Sequence, residues 1–381
     1  QCGDEIIAID GKPTKGLESK ESSDRMKGKP GTTVTFTVKK VRTGDTLDIP
    51  IIRERIHFPD IEYAGMLDDT TGYILQTGFT ENVSGELRTK FQELKKQGMK
   101  RLVLDLRGNG GGLMNEAINI VSLFVPKGSL VVSSKGNTED SLREYKTTTE
   151  PVDTEIPIIV MIDSGSASSS EIVAGALQDL DRATIMGKRS YGKGLVQSIR
   201  PLPYNGQMKV TTAKYYTPSG RCVQGVGVTP DVEIDLPSYS RLVYSLVLGG
   251  VVDQYVLKFV REHDSIPAAE DYHFSDEDFE DFISFAKTQE FDYRSSAKTL
   301  YDQMKKELVK DGLADAMKPE LEAMEKALEM DKERFIRIKK DEIIPFIEEE
   351  IAVRYWFQEA GIKVRLRYDE QLKKALESPM I

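Results

Sequence analysis

The chain has 381 residues, an apolar fraction of 39% and a formal net charge of −10 at pH 7. This length suffices for two or three domains, and the acidic balance argues against a general nucleic-acid-binding protein, which would carry a basic stripe. No apolar run approaches the roughly 20 residues that span a bilayer, and the two cysteines, Cys2 and Cys222, lack the spacing of a zinc site or a disulfide framework.

The first 55 residues are predicted to form a small β-rich domain. Its predicted elements are strand Glu5–Ile9, helix Leu17–Lys27, and strands Thr32–Val38 and Thr46–Ile52. Together with the segments Gly3–Gly11 and Gly28–Val34, this order resembles the later part of a PDZ domain, a module that binds peptide C-termini by strand addition. The early part of such a domain would precede Gln1, so we expect the chain to be a piece of a longer protein. A small β-rich domain without a ligand is the alternative.

From Arg53 to about Asp235 the pattern alternates between strands and helices, which predicts an α/β core. The predicted elements are strand Gly72–Gln76, helix Asn82–Gln97, strand Arg101–Leu106, helix Leu113–Phe124, strand Ile158–Ile162 and a helix that starts near Glu171. Two of these strands lead into a turn of small residues and then into a helix. Loops at the ends of strands commonly carry function, so these two turns are the candidate site.

The remainder of the chain is predicted to be helical. Ser238–Glu262 has a helical pattern, and charged helical segments dominate from Ser275 onward, with Pro319 and Pro345 marking helix starts or kinks. The Glu and Lys runs fit solvated helix faces. Contact with a partner, or assembly, is the alternative function of these faces.

The second turn, Ser164–Ser170, places hydroxyls and free N–H groups at a helix N-terminus. A serine nucleophile needs a base, and none of the three histidines lies near this turn in the sequence. The Gly-x-Ser-x-Gly pattern is also absent around Ser168, so a Ser-His-Asp triad is not expected. Lys193, flanked by glycines, can replace histidine if burial or a nearby cation favours its neutral form. Gln197 offers a neutral amide to orient that amine.

The first turn, Gly108–Gly112, is a candidate for stabilising an oxyanion. If Ser168 attacks, the N–H of Ser169 is one donor, and a second can come from Gly110–Gly112, where the absent Cβ atoms permit close approach. Phosphate binding is the competing interpretation. The loop lacks the final glycine of G-x-G-x-x-G and no Walker lysine follows it, which favours the oxyanion role. A helix N-cap is the alternative role for Ser168 alone.

These residues together resemble a known family, the carboxyl-terminal processing peptidases, also called tail-specific proteases. The resemblance covers about residues 1–235. The segments that carry it, besides the PDZ-like start, are Leu104–Gly112, Ser166–Ala176, Gly192–Gln197 and Gly225–Asp231. Two positions depart from the family pattern: Ser169 stands where alanine is common, and Gly110 where proline is common.

The resemblance implies an α/β fold with a crotonase/Clp-protease-like core of strand-strand-helix units. The implied domains are a partial, β-rich PDZ domain at 1–55, a peptidase core at 56–236 and an α-helical C-terminal domain at 237–381, whose role the resemblance does not cover. The implied site residues are catalytic Ser168, Lys193 and Gln197, with oxyanion donors at Ser169, Gly112 and Gly111.

The implied activity is that of a serine endopeptidase that cleaves proteins near their C-termini through an acyl-enzyme. It needs no cofactor and no metal, and its partners are proteins or peptides with unstructured C-termini, with a homo-oligomer as a further possibility. Family members are commonly secreted or envelope proteins, which implies a periplasmic or cell-envelope location. The alternatives are a peptide-binding module on an inactive peptidase scaffold and a helical assembly protein that depends on residues 237–381.

Overall fold

The computed structural model describes residues 3–56, 58–235, 237–328 and 331–378. Cys2 and His57 therefore lie outside the described residues. The chain forms two compact units. We call Gln1–Ile56 with Ser238–Asp369 the helical unit, and His57–Pro237 with Glu370–Ile381 the sheet unit.

The N-terminal segment of the helical unit is a small antiparallel sheet with one helix. Its elements are β1 (Glu5–Ile9), β2 (Lys12–Pro13), α1 (Ser19–Met26), β3 (Thr33–Lys39) and β4 (Thr46–Ile52). The strands lie in the order β2-β1-β3-β4. In β3 the apolar side chains of Val34 and Val38 are buried while the terminal Thr33 and Lys39 are exposed. The central strand is thus held by a few apolar contacts on one face.

The sheet unit contains most of the strands. Its elements between 58 and 235 are β5 (Ile61–Met66), β6 (Thr71–Gln76), α2 (Val83–Lys96), β7 (Arg101–Asp105), α3 (Met114–Val121), β8 (Leu130–Lys135), β9 (Arg143–Lys146), β10 (Ile158–Ile162), α4 (Ser169–Asp179), β11 (Thr184–Gly187), β12 (Leu195–Pro201), β13 (Gln207–Tyr216) and β14 (Val232–Glu233). The predicted alternation of strands and helices is therefore present, and the mixed α/β class is confirmed.

The larger sheet of this unit has the strand order β14-β11-β10-β7-β6-β5. All neighbours are parallel except β5 and β6, and Val160 in the middle of β10 pairs with Leu104 of β7 and Ile185 of β11. Every residue of β10 is buried, which explains why this strand reads as an unbroken apolar run rather than an alternation. Loops that follow β7 and β10 consequently meet at one edge of the sheet.

The second sheet, β12-β13-β8-β9, is antiparallel. Its β12–β13 hairpin is mostly exposed: of the ten residues of β13, only Tyr215 is buried. This hairpin was not predicted from the sequence, because a strand exposed on both faces has no apolar alternation. Lys193 and Gln197 lie just before and within β12.

The C-terminal part of the helical unit begins with helices where the sequence predicted one. These helices are α5 (Arg241–Leu248), α6 (Val251–Glu262), α7 (Asp276–Lys287), α8 (Ser296–Lys310), α9 (Lys318–Leu328), α10 (Lys332–Ile338) and α11 (Lys340–Arg367). The predicted helix over Ser238–Glu262 is broken at Gly249-Gly250, because Gly250 adopts a positive φ of 74° that a helix does not contain. The predicted helical C-terminal region is otherwise confirmed.

The small N-terminal sheet and the helices share contacts within the helical unit. Val41 is buried in the helices' apolar core, and its carbonyl accepts a hydrogen bond of 3.1 Å from Arg261 Nε. The guanidinium of Arg42 lies 4.9 Å from the centre of the Tyr355 ring, a cation–π distance. Residues 3–56 and the helices therefore form one compact body. The predicted three-domain division, in contrast, treats them as separate.

Among the described residues, no single helix is long and apolar enough to cross a membrane, and only α5 and α6 together, bent by 56°, pass that test. Both helices contribute to the buried core of the helical unit.

The last helix, α12 (Glu370–Glu377), belongs to the sheet unit although it follows the helical stretch in the chain. It lies against β11 and buries the side chains of Gln371, Leu372 and Ala375.

Candidate active site

The two turns singled out by the sequence lie side by side at the carboxyl edge of the larger sheet. Hydrogen bonds join them directly: Ala167 N–H donates to the Asn109 carbonyl at 3.0 Å, and Gly108 N–H donates to Asp163 Oδ1 at 2.8 Å. The Ser170 hydroxyl adds a second bond to the Asn109 carbonyl, at 2.9 Å. We call 107–112 the glycine loop and 163–168 the serine turn. Asn109, Ala167 and Ser170 are buried, whereas the Gly108–Asp163 bond is exposed; together the three bonds hold the two turns in one fixed substructure.

Ser168 immediately precedes α4 and has a strained backbone. Its φ of 57° and ψ of −112° lie outside the regions that L-residues usually occupy. Such strain in a non-glycine residue costs on the order of 1–3 kcal/mol and persists only where the surroundings enforce it. Its side chain is half-buried. The turn therefore presents Ser168 at the junction of strand and helix, where helix N–H groups are free.

Glu171, one turn into α4, is the residue that connects this serine to the predicted lysine. Its carboxylate is fully buried and accepts backbone N–H bonds from Ser168 at 2.8 Å, Lys193 at 2.8 Å and Gly192 at 2.7 Å. The Ser190 hydroxyl is a fourth donor. A buried carboxylate is stable when several donors replace its water, so this one group fixes the serine turn against the segment 190–193.

Tyr215 of β13 makes a second link between the same two segments. Its hydroxyl lies 2.6 Å from the Lys193 carbonyl and 3.0 Å from the Ser168 carbonyl, and it can donate to either. Burial, reinforced by the negative charge of Glu171, raises the pKa of Tyr215 well above the usual range. The phenol therefore keeps its proton and remains a donor at all physiological pH values.

The side chains of Lys193 and Gln197 are not joined to Ser168. Both are exposed, and in the described parts of the chain no acceptor lies within hydrogen-bond distance of Lys193 Nζ. The Gln197 amide instead donates to Thr211 Oγ1 across the β12–β13 hairpin, at 3.5 Å. The structure thus brings the main chains at 168 and 193 together while the amine points into solvent.

The N–H groups of the predicted oxyanion donors differ in whether they already donate a hydrogen bond within the protein. Gly111 has a positive φ of 89°, and a Cβ there would lie 2.5 Å from the Ala167 carbonyl oxygen and 2.8 Å from Ser169 N. Only glycine permits this approach. Gly111 N–H itself already donates to Asn109 Oδ1 at 2.9 Å, whereas no acceptor among the described residues faces the N–H groups of Gly112 and Ser169.

The Gly112 peptide is held on both sides. The Ser169 hydroxyl donates to the Gly112 carbonyl at 3.0 Å, and the next N–H, that of Leu113, donates to the Phe79 carbonyl at 2.8 Å. The serine at position 169, a departure from the family pattern, therefore has a partner that alanine would lack.

Glu171 and Tyr215 are site residues that the sequence analysis missed. For Glu171 a signal existed: Ser168-x-x-Glu171 before an apolar run is the pattern in which an acid folds back onto a helix N-terminus. For Tyr215 no local signal existed, since it lies on the unpredicted hairpin. Of the three histidines, His263 and His273 belong to the helical unit, and His57 lies outside the described residues. The described residues contain no cluster of metal-binding side chains.

Comparison with known proteins bears on both units. Residues 70–234 match the family model described as "Peptidase family S41", and residues 242–378 match "Probable PDZ-protease, C-terminal helical domain".

Curated relatives carry corresponding names. The chain is 41% identical over 240 residues to a carboxy-terminal-processing protease of Bartonella bacilliformis, a match that covers 62% of this chain and 55% of the relative. It is 36% identical over 247 residues to a probable CtpA-like serine protease of Staphylococcus aureus, covering 63% and 47%. The chain therefore spans about half the length of these curated relatives.

Among solved structures, a photosystem II D1 C-terminal processing protease shares 31% identity with this chain. The match covers 62% of this chain and 65% of that protein, with a TM-score of 0.43.

Proposed function

Residues 70–234 belong to peptidase family S41, and from that premise we propose that this protein is a serine endopeptidase that cleaves proteins close to their C-termini. Ser168 is the nucleophile and Lys193 the general base. The observation that carries the proposal is the pair of shared contacts between these two residues: the Glu171 carboxylate accepts both of their N–H groups, and the Tyr215 hydroxyl lies against both of their carbonyls.

In the proposed reaction, Ser168 Oγ attacks the scissile carbonyl carbon while its proton passes to the neutral amine of Lys193. The carbonyl oxygen, now negative, accepts hydrogen bonds from the N–H groups of Ser169 and Gly112, for which no acceptor lies among the described residues. Lys193 then returns the proton to the leaving amine, and the C–N bond breaks to give an acyl-enzyme. Water attacks the ester by the same steps and releases Ser168.

Lys193 must lose its proton and move for this to occur. Its amine is exposed, and rotation about the side-chain torsions, with the main chain fixed, is the motion that brings it toward Ser168. A substrate lying over the site removes water from the amine, and desolvation disfavours the charged form of lysine. Gln197 can then form a hydrogen bond with the Lys193 amine. Its neutral amide does not favour the charged form of the amine, whereas a carboxylate would. We propose that substrate binding completes the dyad.

The substrate tail is proposed to bind the small sheet β2-β1-β3-β4 by strand addition. Two features support this: the PDZ-like sequence order, and an antiparallel sheet in which β4 is an edge strand. Main-chain hydrogen bonds to an edge do not depend on the peptide's sequence, which suits a module that captures unstructured C-termini. A periplasmic or cell-envelope location, and a homo-oligomeric state, remain predictions from the family resemblance.

The exposed amine of Lys193 is also what a non-catalytic peptide-binding scaffold would show. The deciding experiment measures turnover of an unstructured C-terminal peptide by the wild type, Ser168→Ala and Lys193→Ala. We expect each variant to lose at least about 10³-fold in kcat. Ser168→Ala removes the nucleophile, and Lys193→Ala leaves a serine without its base, which is a weak nucleophile. Lys209→Ala, at an exposed lysine of β13, is the matched control and should stay within twofold of the wild type. Equal turnover in all four proteins would overturn the assignment, and binding without turnover by the wild type would favour the scaffold.

A further inference from the structure

The S41 match ends at residue 234, yet the sheet unit also includes α12, about 135 residues further along the chain. This helix buries a polar side chain, that of Gln371, which is only 1% exposed. A buried amide needs hydrogen-bond partners for both its oxygen and its nitrogen. The identity of those partners shows what α12 contributes to the sheet unit.

Gln371 has one partner on each side. Its Nε2 donates to the Ile234 carbonyl at 2.9 Å, and its Oε1 accepts from Arg107 Nη1 at 2.9 Å. The orientation of the amide is unambiguous, because a guanidinium can only donate and a carbonyl can only accept. The side chain thus bridges the end of the S41 region and the first residue of the glycine loop.

Arg107 lies between β7 and the glycines. Its Nε donates to both carboxylate oxygens of Asp105, at 3.0 and 2.9 Å, and its own N–H donates to Asp105 Oδ1 at 2.9 Å. Asp105 is 1% exposed and also accepts a bond from the Tyr73 hydroxyl at 2.7 Å. The guanidinium is therefore held at one end by a buried carboxylate and at the other by Gln371.

Arg107 is followed directly by Gly108, whose N–H is fixed on Asp163 of the serine turn. Four residues later comes Gly112, a proposed oxyanion donor. If Arg107 can move, the short, glycine-rich segment that follows it moves as well, because this segment has few side chains of its own to restrain it. The position of the loop consequently depends on what holds Arg107.

We infer that Gln371 is a positioning residue of the active site, and that α12, although it lies within the region 242–378 that matches the helical-domain model, is a structural part of the sheet unit. The inference rests on the proposed function for its catalytic consequence only. Without the Gln371 amide, the Ile234 carbonyl and one Arg107 donor lose a buried partner, and the glycine loop samples positions in which Gly112 N–H misses the oxyanion.

The test uses the full chain with Gln371→Met, which keeps the length and apolar bulk of the side chain but makes neither bond. We expect kcat to fall about tenfold with KM within twofold, since loss of two net hydrogen bonds is of this order and the loop acts on the transition state. Hydrogen exchange of the amides of 108–112 should speed up about tenfold, while that of β10 stays unchanged. Lys373→Met, at an exposed position of the same helix, is the control and should change neither.

Two smaller substitutions keep the inference testable if Gln371→Met fails to fold. Gln371→Glu retains an acceptor for Arg107, whereas Gln371→Asn is one methylene shorter and cannot reach both partners. Glutamate should preserve loop protection and kcat better than asparagine, and the reverse order would contradict the inference. So would unchanged exchange in 108–112 for Gln371→Met. A wild type without turnover would overturn the proposed function alone, because exchange still reports whether Gln371 holds the loop.

Discussion

The two halves of the candidate site are built in different ways. The glycine loop and the serine turn extend from buried parallel strands and are joined mainly through the buried Asn109 carbonyl, which accepts hydrogen bonds from Ala167 and Ser170. Lys193 and Gln197, in contrast, lie just before and within β12, an edge strand whose residues are mostly exposed. The main chain of Lys193 is fixed by hydrogen bonds, but its side chain is not. Preorganised groups lower a barrier most when they need not move during the reaction. The proposed nucleophile and the proposed oxyanion donors meet this condition in the resting molecule, and the proposed base, Lys193, does not.

This contrast indicates where control over the reaction lies. The rigid half, which consists of the glycine loop and the serine turn, is in place before substrate binds, so a change there should alter kcat directly. The lysine half, which consists of Lys193 and Gln197, can act only when the Lys193 side chain is ordered. The position of that side chain therefore depends on the molecule that covers the site. After Ser168 and Lys193 themselves, Glu171, which connects the two halves, should then be the most sensitive residue.

Apart from substitutions of Ser168 and Lys193, the largest effect is expected for Glu171→Gln, because this carboxylate joins the halves. An amide presents one acceptor oxygen and turns an NH₂ group toward N–H donors, so at least two of the four bonds are lost. We expect kcat/KM to fall at least about 100-fold and the free energy of unfolding to drop by about 3 kcal/mol, measured by peptide turnover and urea unfolding. Glu93→Gln, in an exposed ion pair of α2 with Lys90, should change stability by less than about 1 kcal/mol. Turnover within threefold of the wild type would show that the halves are held by other contacts.

Gly111→Ala tests the rigid half alone. The added Cβ meets the backbone of the serine turn at 2.5–2.8 Å, and the positive φ adds strain, so the two turns must separate. We expect a loss of about 30-fold in kcat, with KM changed less, from steady-state kinetics. Gly110→Ala is the matched comparison, since a Cβ there has no neighbour within 4 Å. Its loss should be at least tenfold smaller, and equal losses would contradict a role for close approach.

Tyr215→Phe removes the second link between the halves while keeping the ring. We expect a fall of about tenfold in kcat, the value of a buried hydrogen bond whose acceptors are left unpaired. Because burial raises the pKa of Tyr215, the phenol is protonated on both the acidic and the basic side of the pH–rate profile. The pH–rate profile should therefore be lowered without being shifted. Tyr216→Phe, at the next position of β13, is the control, and a displaced profile would show that Tyr215 itself titrates.

Ser169→Ala should give the smallest effect. It removes only the hydroxyl bond to the Gly112 carbonyl and retains the Ser169 N–H, so kcat should fall about threefold. Affinity for a peptide boronate, which mimics the tetrahedral intermediate, should weaken by a similar factor, while affinity for a cleaved product should not change. Equal weakening of both ligands would mean that the hydroxyl supports general binding rather than the oxyanion loop.

Much of the larger sheet was predictable, because buried parallel strands leave a continuous apolar signal. Ile158–Ile162 was predicted with its bounds, and the glycine and serine turns followed from the small residues after such strands. The Ser168 and Lys193 assignment came from motif resemblance combined with the chemistry of serine nucleophiles, and their roles stay predictions.

The unpredicted parts depend on contacts between residues far apart in the chain. Tyr215 lies on a hairpin whose strands lack alternation, and Gln371 lies in a charged helix that looks like its neighbours in sequence. The break at Gly249-Gly250 was missed because apolar periodicity continues across it. Nor did the sequence indicate that Val41 shares a core with helices about 200 residues away, since composition carries no information about which surfaces meet.

The discontinuity of the sheet unit also has a consequence for how the protein is made. Residues 370–377 leave the ribosome only after the whole stretch 238–369, which takes on the order of ten seconds at typical synthesis rates. During that interval the newly made sheets lack their last helix, and the Arg107 guanidinium lacks the Gln371 amide. The sheet unit, which bears the proposed nucleophile Ser168, is therefore completed only after the helical stretch has been synthesised.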